Sequence, residues 1–256
     1  MECILYWVVL SFDHVIIILL SIVSGLTTLI GIYLATILGN SPKRISLVIG
    51  FSAGIMLVVS FLELLPESAA AVGVTLTLLS TVLGVLLVGS LDFILPHIHL
   101  TYNVGGEEEK LLRSALLITF GLILHDFPEG FAMANSYLVN PHLGLLITVA
   151  IAVHNIPEEF AMSIPLINLR SRRFIYTVAF LSGLSEPAGA ILGLAASSYL
   201  NVVNPFFLSF SAGAMIFVSF HELIPMSKRY GEYSIFIVGF LLSLLVYLGL
   251  SVVLPG

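Results

Sequence analysis

Two short stretches of an otherwise apolar chain carry side chains able to hold a metal ion. The first is His125-Asp126-Phe127-Pro128-Glu129-Gly130, and the second, 29 residues further on, is His154-Asn155-Ile156-Pro157-Glu158-Glu159. In each, the His and the following Glu stand four apart and the Asp or Asn and that Glu three apart, so on a helix all three polar groups share one face. Each stretch is therefore half a site. Imidazole, carboxylate and amide oxygen together suit borderline divalent ions such as Zn, Fe(II), Mn or Co, whereas a thiolate set would favour Cu(I) and an all-oxygen set Mg or Ca. Two half-sites imply up to two bound ions. Pro128 and Pro157 lie inside their helices, where proline frees the carbonyl four residues back, here Leu124 and Val153. Glu186, followed by Pro187, adds a further carboxylate in an apolar segment. An ionisable group in mid-bilayer costs roughly 2.5 to 3.5 kcal/mol on insertion scales. A purely structural network of His125, Asp126, Glu129, His154, Asn155, Glu158 and Glu186 would be expensive, and an ion site is the reading these residues favour.

The elements that must position them follow from composition. The 256 residues are 59% apolar and 9% charged, with a mean hydropathy of +1.12, far outside the soluble globular range. The chain reads as an all-α polytopic membrane protein in a single domain, 1–256. At about 20 apolar residues per crossing, eight spans are expected near 14–38, 45–65, 73–95, 114–138, 143–167, 173–198, 206–226 and 233–253. All nine Lys and Arg fall in or at the edge of four connections, at Lys43 and Arg44, Lys110 and Arg113, Arg170 with Arg172 and Arg173, and Lys228 with Arg229. These are alternate loops, so the positive-inside rule places them in the cytoplasm and both termini outside. Termini on one side need an even number of spans, which agrees with the count of eight. The lone Cys3 excludes an intrachain disulfide and a thiolate cluster. Met1-Glu2-Cys3 lacks a basic region, so no cleaved leader is expected.

A repeat organises the spans. Residues 211–227 match 52–68 at 11 of 17 positions, and Ser182-Gly183-Leu184-Ser185 echoes Ser24-Gly25-Leu26-Thr27. The second span runs outward and the seventh inward, so the repeat is inverted. The arrangement reads as 3+2+3, with spans four and five on the pseudo-twofold axis and their half-sites face to face near mid-bilayer, where transporters commonly hold substrate. Glu63 and Glu222, with His221 beside the latter, are repeat mates near opposite ends of their spans and are candidates for the two mouths of a pathway. Glu159 follows Glu158 and points about 100° away from it, at the edge of the site, where a charge would raise the local negative potential. Thr28 holds the place in the first span that Glu186 holds in the sixth. His97 and His99, in the loop before Glu107, form a pair able to catch a metal only transiently.

At these residues the chain resembles the ZIP family, the zinc-regulated and iron-regulated transporter-like proteins, in its short prokaryotic form. The likeness lies in H-D-F-P-E-G at 125–130, H-N-I-P-E at 154–158, S-G-L-S-E-P-x-G at 182–189 and the paired S-A-G-x-M phrases. It implies eight helices with both termini outside the cell (inner) membrane. It further implies a binuclear centre between helices four and five, inward transport of divalent metal, and a homodimer. By motif position it makes His125, Asp126, Glu129, His154, Asn155, Glu158 and Glu186 the ligands. Asp126 stands where the family commonly has Asn and Glu159 where it commonly has Gly, and the two added charges could favour a harder ion such as Mn or Fe(II). No prosthetic group or nucleic acid is expected, only the transported ion and the lipid bilayer. A membrane-embedded metal-dependent hydrolase would also hold His and carboxylate in mid-bilayer. Yet H-E-x-x-H is absent, and one catalytic site does not call for inverted repeats. A metal sensor without transport lacks any soluble output domain.

Overall fold

A backbone crossing lipid must satisfy its own N–H and C=O groups, which for this composition means helices. The computed structural model describes residues 12–39, 41–94, 107–167, 172–199 and 204–254, and no strand occurs among them. Twelve α-helices are described: α1 (Phe12–Leu26), α2 (Thr28–Leu38), α3 (Pro42–Val59), α4 (Leu65–Val72), α5 (Val74–Ile94), α6 (Glu107–Val139), α7 (Pro141–Ile167), α8 (Arg172–Gly183), α9 (Ser185–Tyr199), α10 (Asn204–Val218), α11 (Ile224–Lys228) and α12 (Tyr233–Val253). Several are segments of one longer rod, and seven helices or rods among the described residues are long and apolar enough to cross a membrane. The 33-residue α6, with its acidic start, is an additional long helix. His97 and His99 lie outside the described residues.

Two rods break where hydropathy alone gives no sign. Between α1 and α2 the Thr27 N–H bonds Ser24 O at 2.9 Å, a tight i→i+3 turn, while the Thr27 hydroxyl donates to the same carbonyl at 2.6 Å. Between α8 and α9 the Ser185 hydroxyl donates to Ser182 O, also at 2.6 Å, and Pro187 removes the donor that would have bonded Gly183 O. The other two irregularities are π-turns at Ser60–Leu64 and Ser219–Leu223, each directly before a helix carrying proline at its start, Pro66 or Pro225. There Leu65 N–H bonds Ser60 O and Ile224 N–H bonds Ser219 O, the i→i+5 spacing that relieves the clash a proline ring imposes on the preceding turn. Glu63 and Glu222 sit inside these turns. The second span therefore runs beyond the expected 45–65, as the rod Pro42–Val72, because the π-turn lets the helix continue past Pro66.

Small residues set the crossings. A Cβ on Gly25 would strike the carbonyl of Gly183, and one on Gly183 that of Gly25, so α1 and α8 touch through repeat mates. Gly130 and Gly189 bring α6 against α9, meeting the carbonyls of Glu186 and Phe127. Gly31 brings α2 against α7 at Ile156. Further out, Gly239 of α12 abuts the Leu47 carbonyl of α3, while Ser80 of α5 donates to the Phe206 carbonyl of α10 at 2.7 Å. These last two contacts occupy corresponding places, each 159 residues apart. The interior collects Ser, Thr, Asn and acidic side chains, and Leu79, Leu83 and Leu86 of α5 and Leu241 and Leu245 of α12 are exposed. A surface this apolar over a polar interior suits lipid as the solvent.

The α3–α12 crossing yields a stability test. In Gly239→Ala the new methyl meets backbone rather than a flexible side chain, so the helices must separate, a loss of about 1 to 3 kcal/mol. Gly249→Ala, with nothing within 4 Å, serves as control. Thermal melting in detergent should show a lowered midpoint for the first and none for the second, and equal midpoints would contradict the crossing.

Candidate metal centre

α6 and α7 are an antiparallel pair joined at Asn140, whose Oδ1 accepts the His142 N–H at 2.9 Å. Around α6, Glu129 faces α7, while Asp126 and Gly130, four apart, face α8 and α9. Around α7, His154 and Glu158 face α6, while Asn155 and Glu159, also four apart, face the rod of α1 and α2. Both helices thus carry one face for each other and one for the flanking rods.

The shared face holds the ion-binding set. His154 Nδ1 bonds the Ala150 carbonyl at 3.2 Å, one turn back, which makes Nδ1 the protonated nitrogen and leaves the Nε2 lone pair pointing inward. Nε2 lies 3.1 Å from Glu129 Oε1 and 3.5 Å from Glu158 Oε2. Three lone-pair donors converging in a buried site repel one another unless a proton or a metal ion stands among them. Ligand atoms on a tetrahedron with bonds of about 2.1 Å are about 3.4 Å apart, and the observed spacings are close to that. Glu129, His154 and Glu158 offer ligand atoms within 4.8 Å of one another, and no other such group of three occurs among the described residues. Ser52 of α3 donates to the His154 carbonyl at 2.9 Å, tying that turn of α7 to the rod beside it.

A second group adjoins the first on the α9 side. Glu186, fully buried in the first turn of α9, accepts from Asn155 Nδ2 at 2.5 Å and lies within electrostatic reach of Glu129 and Asp126. Asp126 accepts from the Ser182 hydroxyl at 2.5 Å. The expected ligands Asp126, Glu129, His154, Asn155, Glu158 and Glu186 are thus all buried and fall into two adjoining groups. The side chain of His125 lies outside the described part of the structure.

The remaining candidates lie apart from this cluster. Glu159 is buried with its Cβ against Gly31 of α2, turned from the shared face. Glu63 accepts the Tyr247 hydroxyl of α12, and His221 Nε2 is 3.1 Å from Asp92 Oδ2 of α5, with the Phe217 ring stacked on the imidazole at 4.8 Å. Glu222 is half-buried. Thr28 bonds the Gly25 and Ala179 carbonyls at 2.7 and 3.3 Å, a purely structural use of the position that Glu186 fills in the other repeat. Reading for ligands alone passed over Ser24, Ser52, Ser182, Asp92 and Tyr247 as partners. The repeated S-G-L phrase pointed at the first and third of these.

Residues 103–254 match the family described as ZIP Zinc transporter. The chain belongs to the ZIP family. It is 38% identical to Zinc transporter ZupT of Chlorobium phaeovibrioides over 89% of this chain and 94% of that protein. It is 35% identical to Zinc transporter ZupT of Streptococcus mutans over 89% and 93%, and 36% identical to that of Chlorobium limicola over 88% and 92%. ZIP membership makes the chain a divalent-metal transporter rather than an enzyme, which sets aside the hydrolase reading, and the helical, lipid-suited exterior agrees with a multi-pass membrane protein.

The geometry gives a binding test. Glu129→Ala and Glu158→Ala each remove one of three converging donors, and equilibrium dialysis of purified protein against zinc should show at least about a tenfold loss of affinity with the melting midpoint retained. Unchanged zinc content in either variant would contradict the convergence.

Proposed function

We propose that this chain carries divalent transition-metal ions, zinc foremost, across the cell membrane into the cytoplasm through a binuclear site between α6 and α7. The observation that supports it most directly is the convergence of Glu129, His154 and Glu158 in the buried interior of the bundle. The relatives named as zinc transporters supply the cargo, and the mixed nitrogen and oxygen donors suit it. Asp126, Glu129, Glu158 and Glu186 bring four negative charges when ionised, and two divalent ions balance four. Glu129, which reaches both His154 and the Glu186 side, and Glu158 beside it are assigned as the bridging carboxylates. Asp126, Asn155 and Glu186, with His125 from its motif position, complete the ligand set, and the carried ion is the only cofactor. Fe(II), Mn and Co remain within the reach of the same donors.

The spans are read as eight in a 3+2+3 arrangement, α6 being the eighth, with α1 to α5 and α8 to α12 as inverted repeats. The matched π-turns, the matched helix breaks and the corresponding crossings of α5 with α10 and α12 with α3 support this. Lys43, Arg44, Arg172, Arg173, Lys228 and Arg229 are exposed at helix ends, which supports a cytoplasmic face there and both termini outside. Glu63 and its mate Glu222, with His221 beside the latter, would line the outer and inner ends of the path, and a second copy of the chain would complete a homodimer in the bilayer.

Reconstitution tests the reading. Zinc uptake into liposomes is the expected result for the wild-type chain, and binding without uptake would contradict transport. Tags at Met1 and Gly256 should both be labelled from outside intact cells; labelling of either only after permeabilisation would reverse the orientation. Glu159→Gly should transport with a shifted preference among Zn, Mn and Fe(II), because it removes a buried carboxylate one residue from Glu158, whereas Glu158→Gly should be inactive. An unchanged order of preference in active Glu159→Gly protein would leave Glu159 with a packing role only.

A further inference from the structure

The bundle carries a symmetric pair of buried serines beside the metal centre that the ligand set does not use. Ser24 and Ser182 open the two repeated phrases, 158 residues apart, and both are fully buried. They flank the contact between Gly25 and Gly183, and each stands within three residues of a helix break. Their carbonyls are used in the same way, accepting the hydroxyls of Thr27 and Ser185 at 2.6 Å. Their side chains turn toward the two carboxylates of the second group, Asp126 and Glu186. Ser182 Oγ donates to Asp126 Oδ2 at 2.5 Å. Ser24 Oγ faces the Glu186 carboxylate, whose Oε1 is already held by Asn155 at 2.5 Å. That Asn155 amide also reaches the Ser24 carbonyl at 3.4 Å. Ser24 Oγ and Glu186 Oε2 stop short of a hydrogen bond, and neither has another partner among the described residues.

We propose that Ser24 and Ser182 are positioning residues for the metal centre, each donating a hydrogen bond from its hydroxyl to one carboxylate, Glu186 and Asp126 respectively. A carboxylate has two oxygens, and a fixed donor on one of them stops rotation about the terminal bond and aims the other at the ion. On the Asp126 side this bond is already made. On the Glu186 side it forms when the ion draws the carboxylate into place. Because both donors flank the contact between Gly25 of α1 and Gly183 of α8, the two carboxylates are aimed from a common frame, and the fit of the ion depends on that frame.

This inference rests on the transport reading, and the experiment separates the two. Zinc uptake by the reconstituted full-length protein is measured together with zinc binding in detergent. Ser182→Ala should raise the KM for zinc about tenfold with the maximal rate largely kept, and Ser182→Thr, which retains the hydroxyl, should restore it. The Ser182→Ala effect on binding should vanish in an Asp126→Ala background, because the carboxylate it aims is gone. Ser24→Ala should raise KM in the same way, which keeps the test open if Ser182→Ala fails to fold. A Ser→Ala variant with wild-type KM, a penalty that persists undiminished in Asp126→Ala, or a Thr variant no better than Ala would overturn the positioning role while leaving transport intact. Absence of uptake by the wild type would overturn both.

Discussion

Four carboxylates meet inside the bundle, and among the described side chains no Lys or Arg balances them. Asp126, Glu129, Glu158 and Glu186 are each at most 5% exposed, while every Lys and Arg whose side chain is described lies on the surface. Two like charges about 4 Å apart repel by about 4 kcal/mol at an effective dielectric of 20, and His154, the histidine described beside them, cannot neutralise four acids. Protons or divalent cations must supply the balance. The bundle is therefore built around a charge that the polypeptide itself does not contain, as a carrier of cations requires.

The second constraint is proximity. Acidic groups would separate if the helices allowed it, and the glycine contacts do not allow it: α6 meets α9 through Gly130 and Gly189, and α1 meets α8 through Gly25 and Gly183. Without a hydrophobic effect between helices in lipid, such close backbone packing is a principal source of association. The same packing that holds the bundle together forces the half-sites to face one another. The freed carbonyls at the breaks are largely answered by neighbouring hydroxyls, from Thr27, Thr28 and Ser185, so the irregular backbone is kept where it borders the site.

Much of this was legible in the sequence because it is periodic. The four-residue spacing of His154 and Glu158 and the 11-of-17 match between 52–68 and 211–227 are one-dimensional signals. The offset of Glu159 from Glu158 was legible as well, but what it meets, Gly31 of α2, depends on which rod packs against α7. The pairing of Glu63 with Tyr247 and of His221 with Asp92 is tertiary in the same sense and leaves no local trace. The breaks at Thr27 and Leu184 escaped because apolar residues continue through them and the cause, hydroxyls turning back on the main chain, is a matter of geometry. The π-turns were within reach, since Pro66 and Pro225 each require some relief one turn earlier.

The central claim is that a metal ion sits among imidazole and carboxylate groups in the interior of the bundle. X-ray absorption on the zinc-loaded protein tests it most directly. The account predicts a shell of nitrogen and oxygen alone at about 2.0 to 2.2 Å, with outer-shell imidazole scattering that is reduced in His154→Ala. A sulfur shell, or an oxygen-only shell unaltered by that substitution, would contradict it.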